Sequence, residues 1–92
     1  MPTLLIGYDL NRPGQRYDDL IDAIKSLGTW WHHLDSTWIV DTSLGASQVR
    51  DRLSRTIDAG DELLVVDVTN RNWASRGLPQ PANTWLSLHV AA

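Results

Sequence analysis

Ninety-two residues carry eight basic and eleven acidic side chains, a net charge of −3, with 42% hydrophobic residues and no cysteine. This is the composition of one small globular domain, and it excludes disulfides and zinc–thiolate sites. No apolar run approaches the roughly 18 residues that cross a bilayer, and the N-terminus lacks a basic segment followed by a long apolar core, so a soluble, cytoplasmic chain with no membrane partner is expected.

Thr3 to Asp9 reads as a strand, apolar on both faces and closed by polar residues. It runs into a carboxylate, Asp9, and then into a loop carrying Arg12 and Arg16. From Tyr17 the period changes: Tyr17, Leu20, Ile21, Ile24 and Leu27 recur at helical spacing, with Asp18, Asp19, Asp22 and Lys25 on the other side. Acids in the first turn and Lys25 in the last suit the helix dipole, and Gly28 is expected as a left-handed stop. Thr29–Leu34 and Thr37–Thr42 alternate as strands and are joined by Asp35-Ser36, which makes a hairpin. Trp30, His32 and Leu34 fall on one side of the first run, Trp31 and His33 on the other. In the second run Trp38 and Val40 oppose Thr37, Ile39 and Asp41.

A second helix is expected from Gly45 or Ala46 to Ala59-Gly60, with Val49, Leu53 and Ile57 as its buried stripe and Gln48 reaching back over its start. Asp61 to Thr69 is the last strand; its Leu63-Leu64-Val65-Val66 is apolar on both faces and reads as a central strand. Asn70-Arg71-Asn72 is a turn. Gly77, Pro79 and Pro81 predict a loop from Trp73 to Ala82, and Asn83 to Val90 fits a short helix capped by Asn83 or an edge strand. The order β-α-β-β-α-β predicts an α+β, ferredoxin-like sandwich: two helices on one face of a four-stranded antiparallel sheet, with residues 72–92 as a C-terminal extension. Such a plan leaves the other sheet face open, and apolar groups there favour pairing with a second copy, so a homodimer is expected. Five tryptophans without a phenylalanine point the same way, since each brings a large apolar area.

Asp9 is the sharpest candidate for chemistry. Paired across a two-fold axis, two such carboxylates with a few waters suit Mg²⁺ or Mn²⁺, which would activate water and stabilise a leaving oxygen. The plainer role is a cap on the loop at Asn11. Arg12, Arg16 and Arg71 are candidate phosphate ligands, because the guanidinium fork fits phosphate; solvated surface ion pairing is their ordinary alternative. His32 and His33 are adjacent on a strand, point to opposite faces and cannot chelate one ion together. The tryptophans invite base stacking, but the RNA-recognition signature is absent, and core or interface packing explains Trp30, Trp31 and Trp38 more simply. His89 lies in the tail and is given no role.

The strand closing on Tyr8-Asp9, the hairpin Trp30-Trp31-His32-His33-Leu34-Asp35-Ser36-Thr37-Trp38-Ile39-Val40 and the segment Asp61-Glu62-Leu63-Leu64-Val65-Val66 resemble the small bacterial and phage proteins labelled SinR-like, best over residues 3–68. That label implies no repressor activity, and nothing in the chain resembles a helix-turn-helix. More distantly the plan is similar to the CRISPR-associated dimer that scaffolds the spacer integrase and to VapD-type toxin ribonucleases. The resemblance implies that Asp9, matching the acid that ends the first strand there, lies near a dimer axis where two copies hold a divalent metal for phosphodiester cleavage. Acidic composition and a C-terminal part that departs from Trp73 onward set this chain apart from a role in spacer acquisition. Two functions follow as expectations: a non-catalytic dimeric interaction or nucleic-acid scaffold module, and a metal-dependent nuclease using Asp9.

Overall fold

The computed structural model describes residues 1–11 and 17–90, arranged as β1 (Thr3–Asp9), α1 (Asp18–Lys25), β2 (Thr29–Leu34), β3 (Thr37–Asp41), α2 (Ala46–Ser54), β4 (Glu62–Asp67) and α3 (Gln80–His89). The strands form one antiparallel sheet in the order β2-β3-β1-β4. β1 is flanked on both sides, which is why its side chains are apolar in both directions.

Alternation sorts the sheet into two layers. Leu4 and Ile6 of β1, with Trp38 and Val40 of β3, point toward α1 and α2 and pack with Leu20, Ile24, Leu27, Val49 and Leu53. Leu5 and Ile39 point the other way, with Trp31 of β2. There the expected open face is partly covered: α3 lies across it, placing Ala82, Leu86 and Val90 against Trp31 and Ile39. The helix begins earlier than the sequence suggested, at Gln80 after Pro79, and Asn83 lies inside it. Pro81 is compatible with this because an amide in the first turn has no intrahelical acceptor.

Other boundaries shift for local reasons. α2 starts where expected, and the Gln48 side chain accepts the Gly45 N–H at 2.8 Å. It ends at Ser54 instead of Ala59, with Thr56 N–H turning back to the Leu53 carbonyl. Gly28 is not a left-handed cap: α1 ends at Lys25 with Ser26 in a right-handed conformation, and a Cβ on Gly28 would stand 2.0 Å from the Asp41 carbonyl oxygen. Glycine is demanded there by a φ of +156°, which side chains rarely adopt, together with the close approach of the hairpin. The hairpin turn at Asp35-Ser36 is as expected, but an irregularity between Trp31 and Leu34 adds a residue to β2 and brings Leu34 opposite Thr37, off the Trp30 side.

The largest departure concerns β4. Its sequence reads as a central strand, yet it forms the sheet's edge. Leu63 and Val65 pack under the helices, whereas Leu64 is 63% and Val66 40% exposed on the other face. Neither belongs to the cluster that α3 forms with Trp31 and Ile39.

Candidate functional site

Asp9 and Glu62 are the outermost pair of the β1–β4 ladder and sit directly opposite one another. Residues paired across a ladder project to the same face, so two carboxylates stand side by side at one end of the sheet, on the face that α3 leaves bare. Both are exposed. They line an open groove of ≈ 390 Å³ together with Gly7, Tyr8, Leu63 and Leu64. Gly7 supplies its floor: a Cβ there would meet nothing within 4 Å.

Among the described residues Asp9 accepts no hydrogen bond from the loop that follows it, and the Asn11 N–H goes elsewhere. Capping falls to Asp61, whose Oδ1 accepts the Asn11 N–H at 3.0 Å and the Tyr17 hydroxyl at 3.1 Å, while Oδ2 accepts the Asp58 N–H at 2.8 Å. One carboxylate thus ties the end of β1, the start of α1 and the start of β4. Tyr8 is also held structurally, its hydroxyl accepting the Trp38 indole N–H at 3.0 Å.

Arg71 does not join Asp9. It follows β4 at the opposite end of the sheet, where its charge adds to the Thr69 hydrogen bonds that lower the pKa of Asp67, and the six residues from Glu62 to Asp67 span about 17 Å. Arg12 and Arg16 lie outside the described residues. Among the described residues no three His, Asp or Glu side chains gather as a metal-holding group.

The aromatic residues are engaged within the molecule. His32 stacks on Trp38 with ring centroids 3.7 Å apart, Lys25 Nζ lies 4.9 Å over the Trp30 ring, and Trp31 donates its indole N–H to the Ala82 carbonyl at 3.2 Å. Trp38 and Trp31 are buried, one in each layer, as the core reading expects. His33 tilts against Trp31 on the face opposite His32.

The sequence reading missed one constellation. His89 Nδ1 bonds Asp41 Oδ2. The Thr3 hydroxyl lies 2.7 Å from Asp41 Oδ1 and 2.9 Å from the His89 carbonyl. The imidazole also stacks on Trp85, with centroids 4.1 Å apart. A carboxylate fixing one ring nitrogen leaves the other as the available one, which is how orienting carboxylates act on histidines. The signal was present as an apolar stripe at Ala82, Leu86 and Val90 with Trp85 and His89 one helical turn apart beside it. Here the pair clamps the end of α3 to the start of β1 and the end of β3.

No protein-family model matches the chain, and neither a curated protein nor a solved structure matches it. No helix among the described residues is long and apolar enough to cross a membrane.

Proposed function

We propose that the chain is a cytoplasmic, non-catalytic interaction module that works as a homodimer on a ferredoxin-like plan. The element order β-α-β-β-α-β and the strand order β2-β3-β1-β4 support that plan; α3 is an addition on the second face. The observation that carries the functional reading is β4, a strand apolar on both faces that stands at a sheet margin with Leu64 and Val66 bare. An exposed apolar edge strand is a template for another chain, and the net charge of −3 and the internally engaged indoles favour a protein over a nucleic acid as the partner. Light scattering tests it: the module has twice the chain mass at high concentration and dissociates on dilution, whereas a single-chain mass at every concentration contradicts the reading.

A second reading, a metal-dependent nuclease, is favoured by the Asp9–Glu62 pair. Two hard carboxylates fit Mg²⁺ or Mn²⁺, whose remaining positions are filled by water and substrate phosphate oxygens. Asp9 and Glu62 would hold the ion, which would supply an activated water and charge stabilisation, and Arg12 and Arg16 would bind phosphate. Metal-dependent cleavage of labelled RNA or DNA that is lost in Asp9→Asn identifies this activity. No cleavage by verified dimer leaves the interaction module in place.

A further inference from the structure

Hydrogen bonding along β4 alternates in direction. Val68 N–H donates to the Thr3 carbonyl at 2.8 Å, so Val68, Val66, Leu64 and Glu62 turn their main-chain groups toward β1. Leu63, Val65 and Asp67 therefore turn theirs to the open edge. Beside that edge a groove of ≈ 350 Å³ runs between β4 and α2, lined by Ala46, Ser47 and Arg50 with Leu63, Leu64 and Val65. The two smallest of these, Ala46 and Ser47, leave room for a strand to lie against β4.

We infer that the occupant of this edge is β4 of a second copy, paired antiparallel about a two-fold axis at Val65. This rests on the homodimer reading and specifies its seam. Only registers that join outward-facing residues make ladder bonds. A register centred on Leu64 would set Asp61 against the second copy's Asp67, carboxylate against carboxylate, which is unfavourable. Registers centred on Leu63 or on Val66 would pair only three of the strand's six residues. Centring on Val65 joins Val65 to Val65 and Leu63 to Asp67. It sets Leu64 beside the second copy's Val66 in the closer, non-hydrogen-bonded positions, twice over by symmetry, and Glu62 meets Val68, so that no acid faces an acid. Both exposed apolar residues of the strand are then covered by each other, and β4 becomes the central strand that its sequence describes.

The seam also places the carboxylates. With strands about 4.8 Å apart and a rise of about 3.4 Å per residue, the two Asp9 positions lie about 25 Å apart. They do not share one ion across the axis, and each acts with Glu62 of its own subunit.

The test uses single cysteines in a chain that has none. Leu64→Cys and Val66→Cys are mixed in equal amounts and oxidised, with Ser87→Cys on exposed α3 as control. The Val65-centred seam predicts a 64–66 crosslink in the mixture, at least about tenfold faster than crosslinking of either variant alone, because disulfides form at directly opposed positions and not along the diagonal. Rapid crosslinking of Leu64→Cys alone overturns this register in favour of the Leu64-centred one. A wild-type chain that is dimeric by light scattering but whose mixed variants do not crosslink overturns the seam and leaves the homodimer standing. A chain that is monomeric and does not crosslink overturns both. A monomeric chain whose edge amides are protected only by an added extended peptide assigns the edge to a foreign strand and overturns self-pairing.

Discussion

Asp9 and Asp61 are both acids at strand ends, but their surroundings give them opposite effects on stability. Among the described residues Asp61 accepts three hydrogen bonds from three segments, whereas Asp9 faces Glu62 across the ladder, and like charges directly opposite are unfavourable. Asp61→Ala is therefore expected to cost about 2–3 kcal/mol in urea unfolding, since it strands donors that had partners. Asp9→Asn should leave stability unchanged or raise it by a few tenths of a kcal/mol; a clear loss would return Asp9 to a capping role. Asp67 gives a pH signature. Hydrogen bonds from the Thr69 side chain and then the Thr69 amide, with the charge of Arg71, hold its carboxyl below the ordinary 3.8. A group depressed in the folded state stabilises above its unfolded value, and that contribution is lost as pH falls through the folded one. Thr69→Val should thus be less stable than wild type at neutral pH, with the gap narrowing on acidification below about pH 4. A gap that widens in acid would contradict this assignment.

At the scale of elements, α3 turns a two-layer plan into a sheet covered on both sides over part of its area. Leu86 is buried beneath it and packs with Trp31, Ile39, Ala82 and Val90, so Leu86→Ala should cost about 2–4 kcal/mol. A loosely attached tail would give a change within about 0.5 kcal/mol, and chemical denaturation separates the two. The elements that were legible in sequence are those whose signal is local: the helical stripe from Tyr17 to Leu27, the Asp35-Ser36 hairpin and the Gln48 cap. α3 was obscured because Pro79 and Pro81 read as breakers, although a helix tolerates proline in its first turn. In the Asp41–His89 clamp the helical stripe that carries Trp85 and His89 was local, but the partner Asp41 stands 48 positions away and only the fold brings it to the ring. Asp9 was found, but Glu62 became its neighbour only through the register of β1 and β4, and the same register carried Arg71 to the far end.

The whole molecule is organised by a conflict between the β4 sequence and its position. Leu63-Leu64-Val65-Val66 has the pattern of a strand paired on both sides, yet one side of it is open. Natural edge strands are usually blunted by charge, proline or bulges; here acids stand only at the ends, Glu62 and Asp67, and the middle is bare. The proposed pairing of two copies along β4 would resolve the conflict without moving any element. The most direct measurement is amide hydrogen exchange along β4 as a function of protein concentration. Leu64 and Val66 amides, bonded to β1, should be protected at every concentration. Leu63 and Val65 amides, which face the open edge, should be protected where the chain is dimeric and become fast-exchanging on dilution. Fast exchange at Leu63 and Val65 under conditions where light scattering reports a dimer would contradict the account.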